Sequence, residues 1–537
     1  MNEDKKFDNL ARKFFWTFVK RNPDFATYLG LHQFDAKMPN ESKKRYLEEI
    51  KIFQKFLKEF KKVDYQKLSD ERKIDLEAVI YFIELSLFKL KEIRHWEQNP
   101  DIASFLGDTL FPLFTRDFAP FEKRIKNIIA REKQFPKVIK QAKTRIKNPV
   151  KLWVELGIES CETLPSFLDE ILKVAKEKKL NKKVLQQLEK VTLKSKKAIE
   201  DYKNYLKKIL PKAKRKFAIG YKKFKKLIEL RKLGMTPEEI LEFGEKQLAE
   251  LKNKLKILAE EIKPGATIEE VRKIIQQNHP ETFNEILESY RKAIKISKEF
   301  VEEMDFATIP KNEELIVIET PAYMRHLIPF AAYFQPAKFE KKQTGIYIVT
   351  PPYTKDLGRY NYADINNTSV HEAYPGHHLQ LACANTNPSL IRLLLNPTEF
   401  VEGWAHYCEE AMKELGYDNT PEGWFVLTQD MIWRAARIIV DVKLSTGKMS
   451  YEEAIDFLVK EVGMEKERAR VEVNRYTLSP GYQLSYLLGK HLIKKLKEEI
   501  KEKMGNKFTH KFFHDTLLYS GNLPIFLMRK VFEQKIK

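Results

Sequence analysis

Amphipathic helical periodicity runs from the start of the chain to about residue 300, with almost no strand signal to interrupt it. Apolar residues recur at three- and four-residue steps, as in Tyr46-Ile50-Phe53-Leu57 and Leu76-Val79-Phe82-Leu85. That spacing gathers them on one face of a helix. Breaks fall at Asn99-Pro100, Asn148-Pro149, Pro211, Thr236-Pro237 and Pro264-Gly265, where proline removes a backbone donor and glycine loosens the backbone. Thr236-Pro237-Glu238-Glu239 has the form of a capping box with proline in the first turn. A run of such helices must bury one stripe of each against its neighbours, so the predicted fold class is mainly α, a large helical body.

From about residue 301 the texture changes. Proline, glycine and aromatics increase, and two β-branched runs appear, Leu315–Ile318 and Ile346–Val349. Each is short and bounded by breakers or polar residues, as strands are. The expected organisation is a helical part over 1–300 and a chemistry-bearing part over 301–537, together forming one continuous unit with a deep cleft and a small β-sheet.

Composition narrows the function classes. The 537 residues are 43% hydrophobic and 12% aromatic, a globular profile. No apolar run reaches the roughly 18 residues of a membrane span. The opening Met-Asn-Glu-Asp-Lys-Lys lacks the apolar core of a signal peptide. The expectation is a cytoplasmic protein with no membrane partner. Cys161, Cys383 and Cys408 form no CxxC pair, so neither a disulfide framework nor a zinc ribbon is indicated. The formal charge of +21 raises the question of nucleic acid. Lysines alternate with glutamates, however, as in Glu239 to Lys263, the pattern of solvated helix faces. The most basic stretch, Lys182 to Lys226, would attract acidic partners. The abundance of Lys and Glu also suits a thermophile.

The chemistry concentrates near residue 390. His371-Glu372-Ala373-Tyr374-Pro375-Gly376-His377-His378 is followed, 25 residues after His377, by Glu402-Gly403-Trp404-Ala405-His406-Tyr407. Two neutral imidazoles and one carboxylate make a catalytic zinc set with an open position, and one glutamate is left to activate water. In the usual H-E-x-x-H motif the histidines are one turn apart. Here His377 comes two residues late, and on an unbroken helix it would point roughly 120° away from His371. The extra Pro375-Gly376 predicts a bulge that returns His377 to the shared face. His378 is in phase but about 10 Å along the axis, so His377 is preferred as ligand and His378 is expected either to support a ligand from behind or to contact substrate. Glu372 is the general base. Gln380, about one turn on, supports a ligand. Glu402 sits among apolar neighbours, where a carboxylate must be paired or metal-bound. Thr398 is the expected cap of its helix, and Asn366, Asn367 and Thr368 of the preceding one. Glu399 and Glu409 read as surface residues.

An oxyanion formed by attacking water also needs a donor. Tyr486 and Tyr482 are the candidates, with Arg475 and Arg325 as binders of substrate carboxylate or carbonyl and His326 beside Arg325. The run Gly345 to Val349, including Tyr347, is expected to hold an extended peptide by strand addition.

These residues resemble the family known as domain of unknown function 885. Its HExxPGHxxQ hallmark is matched by His371, Glu372, Pro375, Gly376, His377 and Gln380, and its second block by Glu402 to Tyr407. That block is also similar to the EGFAxY helix of aminopeptidase-type gluzincins, where the resemblance makes Glu402 the third zinc ligand. Asn22 to Gly30, Arg475-Tyr476, Pro480-Gly481, Ser485-Tyr486, Gly489, Phe513-His514-Asp515 and Gly521 to Pro524 extend the resemblance over nearly the whole chain. Two places depart from the pattern. Tyr482-Gln483 follows Pro480-Gly481 where PGQA is expected, and Ser445 stands where many members have a histidine after Asp441. The resemblance implies a mostly helical zinc-peptidase-like fold.

The function expected is a zinc-dependent peptidase of carboxypeptidase or oligopeptidase type, acting on short peptides with one Zn2+ per chain, Co2+ or Mn2+ being able to substitute. The alternatives are a zinc amidohydrolase acting on a non-peptide amide and a non-enzymatic basic helical scaffold or nucleic-acid-binding protein. The oligomeric state is open, a homodimer included.

Overall fold

The structure, a computed structural model, describes residues 2–320, 325, 331–352 and 357–536. Two compact units divide the chain. One comprises Met1–Ser69, Val79–Phe217 and Ala337–Lys341; the other comprises Asp70–Ala78, Ala218–Pro336 and Lys342–Lys537. The main division therefore falls near residue 217 and not at the texture change near 301. Helices Tyr221–Arg231 to Phe283–Glu303 belong with the motif-bearing segment.

The first unit is helical. Phe7, Phe14, Phe15, Phe53 and Phe60 are buried, and Phe14 meets Phe56 edge-on with ring centroids 5.0 Å apart. Helices Lys151–Glu177 and Lys182–Ile209 pack together. The early motif Asn22 to Gly30 serves this unit internally: Thr27 donates to Asp35 at 2.8 Å, and buried Arg131 donates to Thr27 Oγ1 at 2.6 Å. The helix breaks expected at 99–100, 148–149 and 211 are all present.

In the second unit, helix Pro237–Ile262 starts with the expected capping box of Thr236 and Glu239. It buries Ile240, Gly244, Leu248, Leu251, Leu255 and Leu258 along one stripe against helix Pro421–Thr446. The contact is close because Gly244 has no side chain; a Cβ there would lie 2.8 Å from Ile438. Helix Thr398–Glu414 crosses helix Ser485–Met504 in the same way. A Cβ on Gly403 would lie 2.5 Å from the carbonyl carbon of Gly489, and one on Gly489 2.1 Å from the Glu399 oxygen.

The sheet has three strands, β1 (Glu313–Glu319), β2 (Ala331–Phe334) and β3 (Gln343–Val349), in the order β1-β3-β2. The two expected strands are present but run parallel, Leu315 opposite Gly345. β2 went unread in the sequence because its four residues carry little pattern. It pairs antiparallel with β3, Tyr333 opposite Tyr347. β3 is thus the central strand, with Val317 and Tyr333 on either side of Tyr347. This corrects the expectation that Gly345 to Val349 offers an edge to a peptide: over Ile346–Val349 both edges are already paired. Among the described residues, no helix is long and apolar enough to cross a membrane.

Candidate metal centre

The predicted bulge is a full break. Helix Tyr362–Glu372 ends, residues 373–376 turn, and helix His377–Thr386 begins. The Tyr374-Pro375 peptide is cis. Gly376 makes the turn possible: a Cβ there would sit 1.9 Å from the His371 oxygen. The first helix is capped by Asn361, whose side chain accepts from Asp364 N at 3.0 Å. Asn366, Asn367 and Thr368 lie inside that helix and are not its caps. Thr398 is likewise the first helical residue, with no side-chain cap before it. Its hydroxyl meets Ser485 Oγ at 2.6 Å.

The break brings His377 back to His371. Their rings lie 4.8 Å apart and nearly perpendicular. Glu402 completes the group, its Oε2 3.7 Å from His377 Nε2. One ligand atom from each of His371, His377 and Glu402 lies within 4.8 Å of the others. Two imidazoles and a carboxylate on separate helices, with their donor atoms converging, fit a divalent ion such as zinc.

His371 and Glu402 are held from behind, whereas His377 Nδ1 is buried with no hydrogen-bond partner among the described residues. His371 Nδ1 hydrogen-bonds Glu409 Oε1, which leaves Nε2 for an ion. The other oxygen of Glu409 meets His406 Nδ1 at 2.9 Å. Tyr482 donates to Glu402 Oε1 at 2.7 Å. Trp404 Nε1 donates to the Pro375 carbonyl at 2.8 Å, tying the turn to the Glu402 helix. Burial pushes the Glu402 carboxyl up, but His377, Tyr482 and His371 outweigh it and hold it down to about 2. Burial likewise opposes a charge on His371, and Glu409 and Glu372 override it, raising the ring to about 9.

Glu409 and Glu399 are not surface residues; they are 2% and 3% exposed. Glu399 pairs with Arg231 at 2.8 Å. The signal for Glu409 was available: it lies seven residues after Glu402 and three after His406, hence on the same helical face.

A family model described as "Bacterial protein of unknown function (DUF885)" matches residues 23–531. The chain belongs to this family. No curated protein matches it. Two solved structures share the DUF885 chain's fold. A candidate lipoprotein of unknown function from Shewanella oneidensis superposes with a TM-score of 0.81 at 22% identity, covering 99% of this chain and 100% of its own. A candidate lipoprotein from Colwellia psychrerythraea gives 0.87 at 20% identity, covering 100% and 99%.

The other residues singled out in this DUF885 chain divide into those near the centre and those away from it. Tyr482 touches Glu402, and Tyr486 lies beside Tyr482 with ring centroids 6.2 Å apart. His378 turns away. It is fully buried, with Nδ1 3.0 Å from the Tyr333 hydroxyl and Nε2 2.5 Å from Glu313. Glu313 also accepts from Tyr374 at 2.6 Å and Lys298 at 2.7 Å, so His378 joins the sheet to its helix and finds no support as a substrate contact. Tyr347 is 1% exposed, its ring 5.5 Å from Tyr290. Arg325 pairs with Glu319 at the end of β1, and His326 lies outside the described residues. Arg475 pairs with Glu472 at 2.7 Å. Gln380 is fully buried beyond the histidines, and its amide has no hydrogen-bond partner among the described residues. Ser445 donates to Asp441 at 2.9 Å. The three cysteines are buried and unpaired.

Arg434 and Arg437 were missed. Both lie on helix Pro421–Thr446, and Arg437 stacks over Tyr486 at 4.6 Å. Their spacing from Asp430, at four and seven residues, is the helical signal that was present.

Proposed function

We propose that this protein is a zinc-dependent peptidase that hydrolyses short peptides. The observation that carries the reading is the convergence of His371, His377 and Glu402, with Glu372 next in chain to the first of them. A bound zinc would polarise a carbonyl and lower the pKa of water. Glu372 takes the proton from the attacking water and returns it to the leaving amine. Glu409 holds His371 in the tautomer that presents Nε2. Tyr482 and Tyr486 donate to the oxyanion in this reading, Tyr482 by turning its hydroxyl from Glu402. In this reading Co2+ or Mn2+ substitutes for zinc, since imidazole and carboxylate accept all three.

The test is metal content by plasma mass spectrometry of the purified protein beside a His371→Ala/Glu402→Ala variant. About one zinc per chain, lost in the double variant, is the expected result. Absence of metal, even after incubation with zinc at neutral pH, would sink the proposal. Glu372→Gln should keep its zinc and lose hydrolysis of a peptide library by a factor of about 100 or more. Unchanged hydrolysis would remove Glu372 from the role of base.

A further inference from the structure

We propose that the arginines gathered around Trp433 and Tyr486, Arg434 foremost among them in receiving the charge, form a subsite for a peptide carboxylate. This rests on the peptidase reading and adds to it the class of substrate.

The cluster begins one aromatic ring away from the ligand group. Tyr482 bonds Glu402, and Tyr486 lies 6.2 Å from Tyr482. Arg437 covers Tyr486 at 4.6 Å, and Arg437, Arg434 and Arg468 lie 4.0, 4.7 and 5.0 Å from the Trp433 ring centre. Three guanidinium groups around one indole are a concentrated positive charge on a polarisable platform.

Not all of that charge is spent within the protein. Arg437 is engaged, donating to the Tyr476 hydroxyl at 2.9 Å and to Glu472 at 3.1 Å. Arg475 takes the same Glu472 oxygen at 2.7 Å. Arg434 differs. Its Nη1 bonds Asp430 at 2.8 Å, while its Nε is buried with no hydrogen-bond partner among the described residues. The Arg434 side chain is 12% exposed, so the fork is nearly dry yet open at one side. Arg468 is exposed and forms no ion pair among the described residues. Four guanidiniums thus face two paired carboxylates, Asp430 and Glu472. A third acid, Asp364, offsets the guanidiniums only in part, because burial and then Asp430 push it up to about 7.

A dry arginine with an unmet N–H is costly unless something arrives to accept it. The planar fork suits a carboxylate. A peptide lying across Glu372 would supply one either from its C-terminus or from an acidic side chain close to the bond cut. The first source makes the enzyme a carboxypeptidase; the second makes it selective for acidic sequences.

The test uses the full chain carrying Glu372→Gln, incubated with zinc, and reads binding by anisotropy of three dansylated peptides: Ala-Ala-Ala acid, Ala-Ala-Ala amide and Ala-Glu-Ala amide. One of the two carboxylate-bearing probes should bind about tenfold or more tighter than the neutral amide, and which one does identifies the source. Arg434→Met should erase the preference and leave the neutral peptide within about twofold of its original affinity; Arg468→Ala, at an exposed position, should reduce the preference severalfold. Arg470→Ala, on the same helix as Arg468, should change nothing. Equal binding of all three peptides, no binding of any, or a preference that survives Arg434→Met and Arg468→Ala would overturn the subsite. Zinc measured on the same samples separates the two ideas. A carboxylate preference in protein that takes up no zinc would overturn the peptidase reading and leave the subsite standing.

Discussion

Glu409 shows how much of this centre is made by residues that would touch no substrate. Its two oxygens bridge His371 and His406, and it is buried with His406. A buried carboxylate between two imidazoles fixes which nitrogen of His371 faces the ligand group. Replacing it with glutamine keeps the volume and removes the charge. Glu409→Gln should retain the fold and weaken zinc affinity by about 10–100-fold, read by competition with a chelator. Affinity equal to that of the parent would show that Glu409 is only structural. The convergence of His371, His377 and Glu402 was legible in sequence because their residue types and separations fit a metal-binding set. For Glu409 the sequence offered only its helical phase with Glu402 and His406; that the face is buried, and that His371 lies against it, was set by the neighbouring elements. His378 failed as a substrate contact for the same reason. Gly345 leaves room against β3, where a Cβ would lie 2.5 Å from His378 Nδ1, and the ring turns to Glu313.

At the scale of elements, glycines decide where the ligand-bearing helices sit. Gly403 follows Glu402 directly, and its contact with Gly489 sets the crossing of helices Thr398–Glu414 and Ser485–Met504. That crossing brings Tyr482, just before the second helix, onto Glu402. Gly403→Ala should destabilise the protein by about 1–3 kcal/mol, the cost of overpacking a close contact, read by denaturant unfolding. It should also weaken zinc binding by displacing Glu402. A stable variant with unchanged metal affinity would show that the helices separate without consequence. The turn at 373–376 is the matching device for the histidines. Proline and glycine announced an irregularity there, but a bulge within one helix and a break between two helices leave the same trace in sequence. Tertiary contacts such as that of Trp404 Nε1 with the Pro375 carbonyl distinguish the two.

Across the whole molecule, buried carboxylates set the pH range of stability. Glu132, 1% exposed in the first unit, is pushed by burial up to about 8, with Ser195 and Thr192 opposing only in part. An acid whose folded pKa is raised above its ordinary value stabilises fully at low pH and loses that contribution as pH rises through the folded value. The loss should run from about pH 4.5 to about 8. Glu132→Gln should therefore gain about 2–4 kcal/mol at pH 9 and nothing at pH 4, measured by urea unfolding at the two values. Equal effects at both would dismiss the titration. Glu313 and Glu410 act in the opposite sense. Burial raises each, but His378, Lys298 and Tyr374 hold the first down to about 2, and Lys490 and Lys494 do so for the second. Their contribution is present above the ordinary carboxylate range and is lost as pH falls through about 2.

Helical class, the position of the helix breaks, the two longer strands and the grouping of His371, His377 and Glu402 followed from the chain alone. Periodicity, proline and glycine act locally, and a His-Glu-His-Glu donor set carries its chemistry in its residue types. Burial of Glu399, Glu409 and His378, the central place of β3, the division near residue 217 and the arginines around Trp433 were decided by tertiary structure. Each depends on which face meets which neighbour, and that is set by contacts between residues far apart in sequence.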